Sequence, residues 1–137
     1  MQTMIEDAER GKIRNRDAGK QIIDYSGLRF NRITPTDIDG LIEFQGKAFI
    51  FYEFKYGDAP MPLGQRIALT RMVDAIQKGG TPAMLILGSH NNPSSEDIDA
   101  ANAVVKGIYW NGAWGSGCGR TVREVTDSFL KYIGYTR

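Results

Sequence analysis

The fold is decided by residues 36–56, which read TDIDGLIEFQGKAFIFYEFKY. Two stretches rich in apolar and β-branched residues flank Gln45-Gly46, a pair typical of a tight turn, and they predict strands over 38–44 and 47–56. From Ala48 to Phe54 apolar residues occupy both odd and even positions. Because successive side chains of a strand point to opposite faces, both faces of the second strand should be covered. We therefore expect a central strand between two layers of helix.

The flanking sequence predicts the remaining elements. In chain order, the predicted elements are a helix over 1–25, strands over 28–33, 38–44 and 47–56, a helix over 63–78, a strand over 84–87, a hairpin over 104–114 and a helix from 121. The three strands before the second helix would form a meander. The buried strand that follows that helix should lie parallel to its neighbour, since a helical crossover joins parallel strands. This order indicates an α/β fold with a mixed sheet flanked by helices.

Length and composition restrict the class of protein. The chain has 137 residues, of which 42% are hydrophobic and 24% charged, and we expect one domain over 1–137. No apolar run approaches the ~20 residues that span a bilayer. The acidic N-terminal residues differ from a secretory signal, so we expect an intracellular, cytoplasmic protein without a membrane partner. With one cysteine and one histidine, any metal should be held by oxygen, which favours Mg²⁺ or Mn²⁺.

Two acidic residues are expected to converge near the ends of the two strands of residues 36–56. With the turn at Gln45-Gly46, residues whose numbers sum to 91 or 92 lie opposite each other, so Asp39 lies beside Tyr52 or Glu53. Two carboxylates beside an apolar sheet repel unless a cation lies between them, and Mg²⁺ commonly takes one or two carboxylates. Lys55 shares the face of Glu53. As an alternative, Glu53 and Lys55 form an ordinary exposed ion pair.

Further polar residues are candidates for the same site. Gln65 lies at the head of the apolar stripe of the helix over 63–78, where its amide would reach the carboxylates and hold a water molecule or a phosphate oxygen. A frayed first turn is the alternative for Gln65. Glu6 and Glu9 are candidates for a third carboxylate, with surface placement as the alternative. Asp37 is either a rival ligand or a solvated turn residue.

Two regions are candidates for contact with nucleic acid. The first is a basic stretch, which otherwise is a solvated helix face, and it comprises Arg10, Lys12, Arg14, Arg16 and Lys20. The second is the aromatic group of Tyr109, Trp110 and Trp114 around the Asn111-Gly112 turn. These rings either stack on bases or form cross-strand pairs within the hairpin.

Asp39, the triplet Glu53-Phe54-Lys55 and the helix with Gln65 resemble the PD-(D/E)XK nuclease superfamily. Within it they are most similar to the small single-domain members related to Holliday junction resolvases and phage-type nucleases. The resemblance covers about residues 3–90 and implies a restriction-endonuclease-like core of helix, three-strand meander, helix and strand. The region from 94 onward is not covered.

The sequence departs from the family pattern at two positions. Pro35 precedes Asp39 by four positions, whereas the family carries a proline directly before the acidic residue. Leu69 stands where some exonuclease branches carry a tyrosine four residues after the glutamine, and this disfavours the exonuclease branch.

The resemblance implies a function and assigns roles. Asp39 and Glu53 would bind Mg²⁺ or Mn²⁺ together with the backbone carbonyl of Phe54, and Lys55 would orient the attacking water and help to deprotonate it. The implied activity is Mg²⁺-dependent hydrolysis of DNA phosphodiesters by an endonuclease acting on branched or otherwise structured DNA, with RNA as the other possible nucleic acid. A homodimer would reach two strands. The alternative is a non-catalytic nucleic-acid-binding or assembly protein with a nuclease-like sheet.

Overall fold

The computed structural model of the protein describes residues 11–12 and 22–135. The contacts between residues divide the chain into two compact units, Met1–Pro35 and Thr36–Arg137. The expected single domain over 1–137 stays a prediction.

The described part of the first unit contradicts the strand predicted over 28–33. Phe30 N–H donates to the Ile33 carbonyl at 2.8 Å and Ile33 N–H donates back at 2.9 Å, which closes a tight turn. Asn31 lies within this turn at φ 59°, a left-handed conformation that reverses the chain. Both apolar residues are exposed, so no buried face supports an extended strand.

The predicted three-strand meander is therefore wrong. In the described residues, a hairpin of two strands precedes the helix over 63–78. The opening helix lies largely outside the described residues. Residues 22–25, where that helix was expected to end, are irregular.

The described part of the second unit contains one sheet and two α-helices. In chain order the elements are β1 (Gly40–Phe44), β2 (Ala48–Tyr56), α1 (Leu63–Lys78), β3 (Ala83–His90), β4 (Val104–Trp110), β5 (Ala113–Gly115) and α2 (Val122–Tyr132). The sheet order is β1-β2-β3-β4-β5. β2 and β3 are parallel and the other neighbours are antiparallel, as expected for a sheet in which α1 forms the one crossover. The predicted α/β class with a mixed sheet is confirmed.

Local sequence accounts for the turns and the start of α2. Gln45 and Gly46 both have positive φ, as do Asn111 and Gly112, which is the requirement of the tight hairpin turn predicted at 111–112. Thr121 accepts a hydrogen bond from the Glu124 N–H, and the Glu124 side chain accepts one from the Thr121 N–H, so the predicted capping box is present. Among the described residues, no helix combines the length and the apolar character needed to span a membrane.

The central strand β2 separates two hydrophobic cores. Its even-numbered side chains, such as Ile50, pack with Val125 and Phe129 of α2. Its odd-numbered side chains, such as Phe51, pack with Leu69 and Val73 of α1. Each helix thus covers one face, as the apolar positions of β2 predicted.

Strand β4 carries one more residue than β3 in their pairing. Leu87 lies opposite Gly107 and Gly88 lies opposite Val105, so Lys106 has no partner in the ladder. This β-bulge changes the face on which later residues lie. As a result Val105 packs in the core beneath α2, while Tyr109, four residues on, packs in the core beneath α1.

Candidate active site

Asp39 and Glu53 are brought together at the point where β1 begins beside β2. Gly40 pairs with Tyr52, a register whose residue numbers sum to 92, as one of the two predicted registers does. Asp39 N–H donates to Glu53 Oε1 at 3.0 Å, and Phe54 N–H donates to Asp39 Oδ2 at 2.8 Å. Each carboxylate therefore accepts a backbone hydrogen bond from the other strand, which fixes the two acids next to each other.

The Glu53 carboxylate is buried and tightly held. The residue is 1% exposed, its Oε2 accepts a hydrogen bond from Gln65 Nε2 at 2.9 Å, and Lys55 Nζ lies 3.5 Å from the same oxygen. Burial raises the pKa of Glu53, as do the negative charges of Asp39 and Asp37, whereas the Asp39 N–H and the Lys55 ammonium lower it. The net effect is a raised pKa, so an ionised Glu53 is held at a cost in stability.

Gln65 reaches Glu53 from the first turn of α1. It lies one turn before Leu69 on the helix face that covers β2, which explains why a polar residue there meets the strand. Gln65 Oε1 is buried and has no hydrogen-bond partner within the described part of the chain. An unmet buried acceptor costs about 1–3 kcal/mol, so the site contains an atom that a donor on a bound ligand or a water molecule would satisfy.

Phe54 presents its backbone to the same edge. The N–H and C=O of one strand residue point toward the same neighbouring strand, as in the hydrogen-bonded pairs of an antiparallel ladder. Because the Phe54 N–H donates to Asp39, the Phe54 carbonyl also points toward the β1 side of β2, just before the first residue of β1. A carboxylate pair and a carbonyl oxygen thus share one edge of the sheet.

The other predicted site residues fall into three groups. Asp37 is exposed and acts on Glu53 through its charge. Lys12 is exposed as well. The remaining predicted residues, Glu6, Glu9, Arg10, Arg14, Arg16 and Lys20, lie outside the described residues.

The oxygen donors of Asp39, Glu53 and Phe54 are compared with what Mg²⁺ or Mn²⁺ requires. In residues 11–12 and 22–135, no group of three or more His, Cys, Asp or Glu side chains is placed to hold a metal ion. Mg²⁺ needs fewer, since it binds through one or two carboxylates and keeps water at its other positions. The two carboxylates and the Phe54 carbonyl are hard oxygen donors, so the residues present fit Mg²⁺ or Mn²⁺ and do not fit a structural zinc ion.

The structure also shows residues that the sequence analysis missed. Lys106, unpaired at the bulge of β4, lines a cavity together with Lys55, and Arg66 lies over the ring of Trp114. Arg66 follows Gln65 directly in the first turn of α1, so its position near the predicted site could have been inferred from the sequence. The placement of Lys106 depends on a bulge for which the sequence gives no signal.

Comparison with known proteins gives no match: no family model matches the chain, no curated protein matches its sequence and no solved structure matches its fold. The structure itself defines an α/β protein with a mixed five-stranded sheet between two helices and a buried glutamate beside the end of β1. The resemblance to PD-(D/E)XK nucleases stays a prediction, and the first of the three strands in the element order on which it rested is absent from the described residues.

Proposed function

We propose that the protein is a metal-dependent nuclease that hydrolyses DNA phosphodiester bonds, acting as an endonuclease on branched or otherwise structured DNA inside the cell. The observation that carries this proposal is the environment of Glu53. Its carboxylate is almost fully buried, lies beside Asp39 and has the Lys55 ammonium 3.5 Å away. Buried carboxylates with shifted pKa values and a specific cationic partner are typical of functional sites.

A purely structural role for Glu53 explains the arrangement less well. Apolar residues of similar volume usually stabilise a buried position as well as a buried ion pair does, or better. At the preceding position of the same parity, Phe51 fills the core beneath α1 without any polar atom. Burial of the ionised carboxylate, which its raised pKa reflects, reduces stability, as does Gln65 Oε1, which has no partner among the described residues. A bound cation would offset the burial of the charge.

Three groups of this chain would hold the cation: the carboxylates of Asp39 and Glu53 and the carbonyl of Phe54. When bound, Mg²⁺ or Mn²⁺ polarises a phosphodiester oxygen as a Lewis acid. Hydrogen bonds to both oxygens of Glu53, from Asp39 N–H and from Gln65, fix the plane of this carboxylate before substrate arrives. Such preorganisation reduces the rearrangement needed during the reaction.

Lys55 supplies the positive charge of the proposed site. Its side chain is 23% exposed and lines the adjoining cavity, and its Nζ lies 3.5 Å from Glu53 Oε2. An ammonium at this position stabilises the negative charge that accumulates on the phosphoryl oxygens in the transition state. It also orients the attacking water through its N–H donors. Homodimer formation and the preference for branched DNA follow from the family resemblance.

The experiment is a cleavage assay on supercoiled plasmid, linear duplex and a synthetic four-way junction, with Mg²⁺ or with EDTA. The wild type should nick or cut in Mg²⁺ alone, with the junction preferred, and Asp39→Ala and Lys55→Ala should abolish cutting. Lys47→Ala is the matched control, because Lys47 is an exposed lysine in the turn at the other end of β2. Cleavage by Asp39→Ala or Lys55→Ala at the wild-type rate would refute the proposal. Binding of the junction without nicking, equally in Mg²⁺ and in EDTA, would indicate the non-catalytic alternative.

A further inference from the structure

A groove extends from Lys55 along the face of the sheet that α1 covers. Its first part is a cavity of about 170 Å³ lined by Lys55, Leu87 and Lys106. Its second part, about 420 Å³, is also lined by Leu87 and Lys106 and continues to Arg66 and Trp114. The two cavities adjoin each other at Leu87 and Lys106, and Lys55, which lines the first, lies 3.5 Å from Glu53.

The bulge of β4 brings Lys106 into this groove. Lys106 is the extra residue of the ladder, and β-bulges redirect side chains in this way next to functional sites. Lys106 Nζ lies 3.5 Å from Asp58 Oδ1, and the two side chains are 50% and 96% exposed. An ion pair this exposed contributes little, so an anion entering the groove can take the place of Asp58.

Trp114 provides an aromatic surface at the far end of the groove. Its ring lies on Gly107, where an added Cβ would come within 3.1 Å of the ring, so the bare backbone of this glycine allows the close approach. The Arg66 guanidinium carbon lies 5.1 Å from the ring centroid. Trp110 is unavailable for such a role, because it packs against Phe129 on the α2 side.

We propose that this groove binds one unpaired nucleotide of the nucleic-acid substrate, with its base at Trp114 and Arg66 and its phosphate at Lys106. Aromatic rings and arginine planes stack on any base, and lysines in such grooves follow the phosphate backbone. A cavity of about 420 Å³ lies in the range that holds small ligands. It therefore suits a single nucleotide rather than a duplex.

This inference rests on the proposed function and sharpens it. The groove begins at Lys55, so the unpaired nucleotide would lie immediately beside the scissile phosphate. The preferred substrate is then a junction or duplex end with single-stranded DNA next to the cut. Two of the residues that the proposal uses, Lys106 and Trp114, belong to β4 and β5, in the part of the chain that the family resemblance does not cover.

The test measures binding in EDTA, where no metal-dependent cleavage takes place. Fluorescence anisotropy with a short labelled oligothymidylate and with a blunt duplex is compared for the wild type and three variants. Trp114→Leu should weaken binding of the oligothymidylate about five- to 150-fold, the range that corresponds to the loss of one stacked base. Lys106→Gln should weaken it about three- to ten-fold and lower the slope of log affinity against log salt by about 0.7. Lys131→Gln, an exposed lysine on α2, should change neither.

Three outcomes would overturn the groove proposal: no binding of oligothymidylate by the wild type, wild-type affinity in both groove variants, or an equal loss in Lys131→Gln. Lys106 is half exposed, so its variant tests the groove even where Trp114→Leu perturbs folding. The two proposals fail separately. If the groove variants lose binding but the wild type never cuts DNA, the groove proposal stands and the nuclease proposal is rejected. If the wild type cuts DNA but the groove variants bind the oligothymidylate normally, the nuclease proposal stands and the groove proposal is rejected.

Discussion

Tyr52 and Glu53 are consecutive residues of β2, and they meet the two helices in opposite ways. On the α2 side, Tyr52 Oη and Thr126 Oγ1 are hydrogen-bonded at 2.9 Å, and both residues are buried. On the α1 side, the buried Glu53 carboxylate meets Gln65, whose other amide atom has no partner in the described residues. The first contact joins two neutral groups that satisfy each other, and the second holds a charge in a place where charge is unfavourable.

This difference shows that the two faces of the sheet differ in the charge that they bury. Burial is also the main cause of the raised pKa of Tyr52. Tyr52 is neutral near pH 7, however, so burying it does not remove a charge from water. The raised pKa of Glu53 has the opposite consequence, because ionisation is the unfavourable state. We therefore expect substitutions at Tyr52 to change stability and substitutions at Glu53 to change activity.

Among the changes that test this comparison of Tyr52 with Glu53, the largest effect is expected from Glu53→Gln. The substitution keeps the shape of the side chain and removes the charge that would hold the cation, so Mg²⁺-dependent plasmid cleavage should fall about 10³-fold, which corresponds to about 4 kcal/mol. Initial rates measured beside Tyr52→Phe provide the matched control, since that variant should cut at the wild-type rate. Less than a tenfold loss in Glu53→Gln would remove Glu53 from the mechanism.

The second prediction concerns stability on the α2 side. Tyr52→Phe leaves the Thr126 hydroxyl buried without its partner and should lower the free energy of unfolding by about 2 kcal/mol, measured by urea denaturation. Adding Thr126→Val should recover part of this loss, because both partners are then apolar. Additive losses in the double variant would show that the hydroxyl pair is not the cause.

The third prediction tests Gln65 as a positioning residue. Gln65→Leu removes the hydrogen bond to Glu53 Oε2 and should lower kcat about tenfold, or about 1.4 kcal/mol, with KM unchanged. Gln77→Leu in the last turn of α1 is the control, because Gln77 contacts Asn111 and not the carboxylate site. A rise in KM alone would assign Gln65 to substrate binding.

The smallest effect is expected on the stability of the metal-free protein. The pKa of Glu53 is raised on folding, so the wild type should lose stability as pH rises from below the unfolded pKa of Glu through the folded one. In EDTA, Glu53→Gln should therefore match the wild type at pH 4 and melt about 2–4 °C higher at pH 7, the shift that about 1 kcal/mol produces in a domain of this size. A lower melting temperature for Glu53→Gln at pH 7 would mean that the carboxylate stabilises the fold.

Sequence reasoning predicted the centre of the molecule well. The turn at Gln45-Gly46 limits the register of β1 and β2 to two choices, and the one observed, with Gly40 opposite Tyr52, places Asp39 beside Glu53. Both signals are local, since the turn and the alternation of side chains narrow the pairing to two registers without reference to the rest of the chain. The contact of Gln65 with Glu53 followed from helical phase in the same way.

The features that sequence reasoning missed depend on distant parts of the chain. Residues 28–33 have the composition of a strand, but apolar side chains such as Phe30 are exposed there, and composition does not reveal whether a burying partner exists. The bulge at Lys106 arises from the pairing of β4 with β3, which no local pattern specifies. The unpaired oxygen of Gln65 likewise becomes visible only when the surrounding side chains are placed.

The separation between the segments that build the site and the groove has a consequence for target choice. Asp39, Glu53 and Lys55 lie on one hairpin, while Lys106 and Trp114 lie on another, and strand β3 stands between them. Under the two proposals, changes in the β4–β5 hairpin would alter which target is bound and would leave Asp39, Glu53 and Lys55 in place.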